Sequence, residues 1–344
     1  MEGQYFQSLS LYIEAKAFFE RAVAAYDEDL KDDQSCIKAF NNKANSLQRL
    51  ADLHKLLSRH EQAKAYYIYS IAVYDVALRI SPNYFNAINN RGNSLQRLAD
   101  LQVLLSEYPQ AEESYNKSIV AFEAALHEAD DIAAVLNNKG NSLKGLAELQ
   151  VNLSNTQKAQ ASYLQSIAAY DAALNESPNL PFALINKGLS LQSLAASEAN
   201  LSDYQKAKTN YERSISIFDE VLNKIPNSVK AFNNKGNSFQ SLAALQALIF
   251  LDYPGALASY AESISAFDET LDRASEDIEA LRGKGLALRA LGTFQIQVSQ
   301  KLEAMQNLRN ARALFIRLLA IAPNNPQIHQ LYQQLTQFLD SQDE

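Results

Sequence analysis

Asn233-Asn234-Lys235-Gly236-Asn237-Ser238-Phe239-Gln240 recurs along the chain. Asn41–Gln48 reads NNKANSLQ, Asn89–Gln96 reads NNRGNSLQ and Asn137–Lys144 reads NNKGNSLK. Ile185–Gln192 reads INKGLSLQ and Arg282–Arg289 reads RGKGLALR. The basic residue of each copy falls at Lys43, Arg91, Lys139, Lys187, Lys235 and Lys284, in steps of 48, 48, 48, 48 and 49. A fixed period of this length is the mark of a solenoid, in which each repeat packs only on its neighbours.

Each period carries two helical patterns. In the second repeat, Phe85 to about Ser106 places Ala87, Ile88, Gly92, Leu95, Leu98 and Ala99 at helical spacing, with no interior proline. Glu107-Tyr108-Pro109 breaks the pattern, and a second helix runs from about Pro109 to His127. Ser81-Pro82, Ser177-Pro178 and Ile225-Pro226 are stop signals, because a residue before proline disfavours helix. Gly or Ala stands mid-way along each first helix (Ala44, Gly92, Gly140, Gly188, Gly236, Gly285). Each glycine costs about 1 kcal/mol of helix propensity. Close approach of the partner helix is the expected compensation.

Leu11–Leu30 matches the second helix of the following repeat, so the chain is expected to open mid-repeat, with the first helix missing or reduced to residues 1–8. The expected organisation is one solenoid domain over 1–344. It comprises a half-repeat (1–35), six full repeats (36–83, 84–131, 132–179, 180–227, 228–276, 277–324) and a glutamine-rich capping helix (325–340). A polar closing helix is what an array needs at an open end.

The composition fits. The chain has 344 residues, a net charge of -8, 20% charged and 47% hydrophobic residues. That acidic balance argues against a nucleic-acid or anionic-membrane binder, which needs a basic stripe. The single cysteine, Cys36, excludes an intrachain disulfide. The N-terminus shows no signal-peptide run, and the most apolar stretch, Leu242–Leu251, is too short to cross a bilayer. A cytoplasmic location is expected.

The repeat resembles a tetratricopeptide repeat. The likeness rests on Gly236 at the helix crossing, Ala256 early in the second helix, Tyr260 four residues later and the closing Pro226. The family's repeat is usually 34 residues long. Here the family's tryptophan is absent, and its small residue late in the second helix is serine (Ser70, Ser118, Ser166, Ser214, Ser263). The added length divides into about seven residues per helix, nearly two turns, so both apolar stripes stay on the core. Each helix is then roughly 30 Å long. The resemblance implies an all-α, right-handed α-solenoid superhelix of antiparallel helix pairs.

Catalytic signatures are missing. His54, His60, His127 and His329 make no metal pair at helical spacing, and no phosphate loop, nucleophile elbow or Cys-x-x-Cys occurs. No enzyme activity, cofactor or metal is expected. Tyr67, Tyr115, Tyr163, Tyr211 and Tyr260 fall at repeat-equivalent positions and read as core.

The asparagines are the informative residues. In the tetratricopeptide family the first helices line the concave groove. The matching positions are Asn41, Asn42 and Asn45, then Asn89, Asn90 and Asn93. They continue as Asn137, Asn138 and Asn141, Asn186, and Asn233, Asn234 and Asn237. Each trio shares a helix face. An amide offers a donor and an acceptor, so such a ladder can hold an extended peptide backbone. The other reading is that the asparagines satisfy one another, or cap loops between helices. Asn89, Asn93, Asn137 and Asn141 are expected open to solvent on the concave face. Ile185 and Leu189 are expected to form an apolar anchor pocket, or to pack on a neighbouring repeat. Arg282 and Arg289 bring charge in the sixth repeat. The family's carboxylate clamp would want lysine where Asn41, Asn89 and Asn137 stand. The expected function is a protein-interaction scaffold for a protein or peptide partner. A ligand sensor that changes superhelical pitch and a self-assembling array are the alternatives.

One further pattern concerns charge. An acid lies sixteen residues before each repeated base: Asp27–Lys43, Asp75–Arg91, Glu123–Lys139, Asp171–Lys187, Asp219–Lys235 and Asp268–Lys284. Antiparallel packing brings those levels together, so six ion pairs between successive repeats are expected.

Overall fold

The computed structural model describes the backbone of residues 2–343 and the side chains of residues 11–342. Among the described residues there are fourteen helices and no strand. The chain divides into two compact units between Asn179 and Leu180, which is also a repeat boundary. The N-terminal unit holds α1 (Glu2–Asp32), α2 (Ile37–Leu56), α3 (His60–Ile80), α4 (Phe85–Leu104), α5 (Tyr108–Ala125), α6 (Ile132–Asn152) and α7 (Thr156–Glu176). The C-terminal unit holds α8 (Pro181–Asn200), α9 (Tyr204–Lys224), α10 (Val229–Leu248), α11 (Tyr253–Arg273), α12 (Ile278–Gln297), α13 (Lys301–Ile321) and α14 (Pro326–Asp343).

Within each unit every helix packs on the next, and the two helices of a repeat make the largest contact. Successive first helices also touch: α2 with α4, α4 with α6, α8 with α10, α10 with α12. Successive second helices do not, among the described residues. The first helices therefore line the inner side of each unit's curve. The lengthening is shared, since α2 has 20 residues and α3 has 21.

The ends differ from expectation. Residues 2–8 are not a reduced first helix, because one helix runs unbroken from Glu2 to Asp32. Met1 lies outside the described residues. α1 lays Phe19 and Val23 against the cluster of Leu47, Leu50 and Tyr74. α14 continues beyond Leu339 to Asp343. It buries Ile328, Leu335 and Leu339 on α13 and leaves Gln327, Gln330, Gln333, Gln334 and Gln337 exposed. A wet glutamine face over an apolar seam is a cap.

The mid-helix glycines are explained by rings. A Cβ added at Gly140 would come within 2.6 Å of the Tyr170 ring, and one at Gly236 within 2.9 Å of Phe267. The helix-propensity loss is offset by an aromatic side chain of the repeat's own second helix. The serines late in the second helices complete the crossing. Ser118, fully buried, donates to the Gly92 carbonyl (2.8 Å) and shares a hydroxyl contact with Ser142 of the next first helix (2.9 Å). Ser214 ties Gly188 and Ser238 in the same way. One hydroxyl thus pins three helices, which is a reason for serine where an alanine would be mute.

The turn inside each repeat has its own signature. Ser58, Ser106, Ser154, Ser202 and Ser299 all have φ between 56° and 66°. Each follows the last turn of a first helix, and the next N–H reaches back five residues, as Glu107 does to the Gln102 carbonyl (2.8 Å). This is a Schellman cap with serine in the left-handed position that glycine usually takes. In the repeat of 49, the extra residue falls in the loop between α10 and α11, and Leu251 takes the left-handed φ (53°).

The charged rungs form as expected within each unit. Lys43–Asp27 (2.5 Å), Arg91–Asp75 (2.6 Å), Lys139–Glu123 (2.8 Å) and Lys235–Asp219 (2.7 Å) are paired, as are Lys284 and Asp268. The sixth expected pair, Asp171 with Lys187, has one member in each unit. The bases are largely buried and the acids about half exposed, so each pair contributes about 0–1 kcal/mol. Burial draws the Lys43 ammonium down, but Asp27 and Tyr69 outweigh it and the net shift is upward.

Candidate functional site

The first-helix face of the N-terminal unit carries three asparagine trios, and their members do different things. The first members turn inward. Asn41 is buried, and the Oδ1 atoms of Asn89 and Asn137 are fully enclosed without a hydrogen-bond partner. Their expected openness is therefore corrected. One residue's step around a helix is about 100°, which carries the first asparagine off the face its neighbour presents. Asn41 Nδ2 leans on Asn42 Oδ1 (3.3 Å), and Asn89 Nδ2 on Asn90 Oδ1 (3.4 Å). Asn90 Nδ2 in turn donates to Asn41 Oδ1 across the repeats (3.4 Å). In the first two repeats the amides thus bond to one another, with Asn89 Oδ1 left over.

The third members divide by what stands opposite. Tyr74 donates its hydroxyl to Asn45 Oδ1 (2.5 Å), and Tyr170 donates to Asn141 Oδ1 (2.8 Å). The expectation of an open amide fails at Asn141 for that reason. Asn93 faces the same column, but the residue there is Phe122, which has no hydroxyl. Asn93 is half-buried and has no side-chain partner among the described residues. Asn138 is half-buried, and Asn42 is exposed.

Acids follow along the same face. Tyr67 donates to Asp52 (2.6 Å), and Arg97 of the next repeat reaches the same oxygen (2.9 Å). Tyr115 donates to Asp100 (2.6 Å). Where Arg97 stood, the following repeat has Gly145, so Asp100 has no arginine. Burial pushes the Asp100 carboxyl above its ordinary range, against the pull of the Tyr115 hydroxyl.

The C-terminal unit carries a different face. Ile185 is buried (7% exposed), so it packs in the wall and presents no open pocket; this overturns the anchor expectation at that residue. Leu189 and Asn186 are half-buried. Asn233 is buried and donates to Asp277 (3.1 Å), the residue that caps α12. Asn234 donates to the Lys230 carbonyl (2.8 Å). Asn237 is half-buried opposite Phe267 and, like Asn93, has no side-chain partner among the described residues. Arg282 is exposed, and Arg289 is half-buried at the mouth of a cavity described below. The five tyrosines expected in the core are there, each at most 5% exposed.

No group of three metal-ligating side chains occurs among the described residues. No described helix is long and apolar enough to cross a membrane.

No family model and no curated protein matches the sequence. Among solved structures the chain is similar to Nro1, the hypoxic regulator of sterol synthesis, a nuclear import adaptor. The identity is 12%, the TM-score 0.58, and the match covers 95% of this chain and 99% of that one. It is similar also to BtubC (BKLC) from P. vanneervenii, at 15% identity and a TM-score of 0.51, covering 77% of this chain and 91% of that one. A tetratricopeptide repeat protein from Parabacteroides merdae matches at 13% identity and a TM-score of 0.44, over 92% of this chain and 98% of that one. The chain is an α-helical repeat protein. More narrowly, it is built of antiparallel helix pairs in repeats of 48 residues, which resemble lengthened tetratricopeptide repeats.

Proposed function

We propose that the protein is an interaction scaffold that holds a segment of a protein partner along the inner face of its first helices. The observation that carries this reading is the pair of uncommitted amides, Asn93 and Asn237. Each lies opposite a phenylalanine in the column where Asn45 and Asn141 meet a tyrosine hydroxyl. A buried-edge amide with both its donor and its acceptor free is matched to a peptide bond. In the N-terminal unit Asn138, Asn90 and Asn42 supply further amides, and in the C-terminal unit Leu189 supplies an apolar contact. Asn41, Asn89, Asn137 and Asn233 support the wall behind. Nro1 has the same fold and is an adaptor, which agrees with a scaffold role.

The test is quantitative affinity capture from native cells, with wild type against Asn90→Ala/Asn93→Ala/Asn237→Ala. A partner enriched on wild type and lost on the variant, with unchanged thermal unfolding, supports the reading. Each lost hydrogen bond is worth about 0.5–1.5 kcal/mol. The same partners held equally by both would remove the amides from the site.

Self-association is a second reading, favoured by α1. Leu11 and Phe18, seven residues apart on one face, are 62% and 60% exposed. Sedimentation velocity over a range of concentrations decides it: Phe18→Glu should abolish any dimer that wild type forms.

A further inference from the structure

Tyr67, Tyr115, Tyr211 and Tyr260 do one job four times. Each fills the crevice between its own first helix and the next. Tyr67 packs between Ala51 of α2 and Leu98 and Leu101 of α4. Tyr115 does so between Ala99 and Leu146, Tyr211 between Ala195 and Leu242, and Tyr260 between Ala243 and Leu291. The residue in that column of α13, 48 positions after Tyr260, is Leu308.

Leucine is shorter than tyrosine, and the crevice between α12 and α14 is left unfilled. It holds a cavity of about 390 Å³ walled by Ile296, Leu308, Leu335 and Phe338, with Thr293 and Arg289 at its edge. That volume lies in the range of roughly 300–1,000 Å³ that binding pockets occupy. Thr293 stands in the column of Asp52, which receives the Tyr67 hydroxyl. Its own hydroxyl donates to the Arg289 carbonyl (2.9 Å), so it adds no free donor to the wall. Arg289 is half-buried, and Arg282 lies two turns earlier on the same face. Neither has an ion-pair partner among the described residues, whereas their neighbour Lys284 is held by Asp268.

We infer that this cavity receives an aromatic side chain of the partner, from a segment that carries a carboxylate beside it. The ring occupies the place that the missing tyrosine leaves. The carboxylate meets the Arg289 guanidinium, a charge-assisted bond for which no acid among the described residues competes. Leu335 and Phe338 close over the ring from α14, so the capping helix is also one wall of a binding site. This rests on the scaffold reading and deepens it by naming the chemistry of the partner at one end of the C-terminal unit.

The probe is the peptide Ac-Asp-Phe-Asp-NH2, added to protein with labelled isoleucine and leucine methyl groups and followed by NMR. Saturable shifts are expected at Ile296, Leu308 and Leu335. Ac-Lys-Phe-Lys-NH2 and Ac-Asp-Gly-Asp-NH2 should each bind about tenfold more weakly, one lacking the charge match and the other the ring. Arg289→Gln, at the half-buried mouth of the cavity, should bring the acidic peptide down to the level of the basic one. Leu308→Tyr restores the column's own residue, fills the cavity and should abolish the shifts with the fold intact. Equal binding of acidic and basic peptides, full binding by Leu308→Tyr, or no saturable shift would each overturn the inference. These readouts do not involve Asn93 or Asn237. Loss of a partner by the triple asparagine variant, with the peptide shifts absent, would sink the cavity and leave the scaffold.

Discussion

The buried side-chain oxygen of Gln102 on α4 accepts a 2.8 Å hydrogen bond from the hydroxyl of Ser114 on α5. The same rung recurs as Gln150–Ser162 (2.8 Å), Gln246–Ser259 (2.7 Å) and Gln295–Asn307 (2.7 Å). It joins the two helices of one repeat near their turn, where an unmatched polar group would be costly. Two repeats put an ionisable group there. Glu198 accepts from Asn210 (2.8 Å), and His54 stacks on Tyr66 with centroids 5.2 Å apart.

Glu198→Gln should stabilise the protein at neutral pH. Burial pushes the Glu198 carboxyl above its ordinary value, against the pull of Asn210 and Lys206. A carboxylate raised in the folded state is most compatible with folding at low pH and costs stability as pH rises through its folded value. The neutral amide reproduces the Gln295–Asn307 rung without a charge. A gain of about 1 kcal/mol at pH 7 is expected, vanishing below about pH 4. Urea unfolding at both pH values measures it, and a variant less stable at pH 7 would contradict the account.

Acid should loosen the N-terminal unit through His54. The ring is 5% exposed, and neither nitrogen has a hydrogen-bond partner. Burial, then Arg59 and Lys16, hold it below its ordinary value, with Glu20 opposing. The unfolded chain therefore takes the proton more readily. Stability is fully present above about pH 6.5 and is lost as pH falls through the folded value. Thermal unfolding from pH 7.5 to 5 should show a steeper decline in wild type than in His54→Gln. Parallel curves would show that His54 is not responsible.

The Asp219–Lys235 rung should couple weakly. A double-mutant cycle with alanine at both positions is expected to give about 0.2–1 kcal/mol, shrinking in 1 M salt. Zero coupling at low salt would mean that the 2.7 Å contact sets geometry at most.

Leu251→Gly should raise the melting temperature. The residue is 62% exposed, so little packing is lost, and its φ of 53° is one that a leucine resists. Relief of about 1 kcal/mol is expected. A melting temperature that falls would place the strain elsewhere.

The period of Lys43, Arg91 and their successors was enough to read the helix pairs, their near-equal lengths and the ion-pair rungs, because each follows from spacing alone. What spacing does not reveal is how far a helix is rolled. Asn41 and Asn42 are neighbours in sequence, yet one is buried and the other exposed, and only the packing of α3 and α4 decides which. The fate of Asn93 against that of Asn141 turned on Phe122 and Tyr170, residues 29 positions away in each case. The polar rung at Gln102 and Ser114 did leave a signal, an offset of 12 residues kept in every repeat of 48, which shows only when equivalent positions are aligned. The left-handed serines left a repeated Leu-Ser at the end of four first helices, but serine is too common in turns for that to indicate a Schellman cap. Residues 2–8 have no counterpart in any repeat, so periodicity placed the Leu11–Leu30 part of α1 and was silent about its N-terminal extension.

The additional residue between α10 and α11 acts as an expansion joint. It lengthens the offset of the Gln246–Ser259 rung to 13, while the Lys284–Asp268 offset stays at 16. Length added at that corner is taken up in solvent, and neither the stacking of the following repeat nor its charged rung changes phase. Chain can therefore be spliced into these corners, a tag or a loop carrying its own binding motif, without shifting any residue of the inner face. An insertion of one residue within α10 would instead rotate everything beyond it by about 100° and scatter the face.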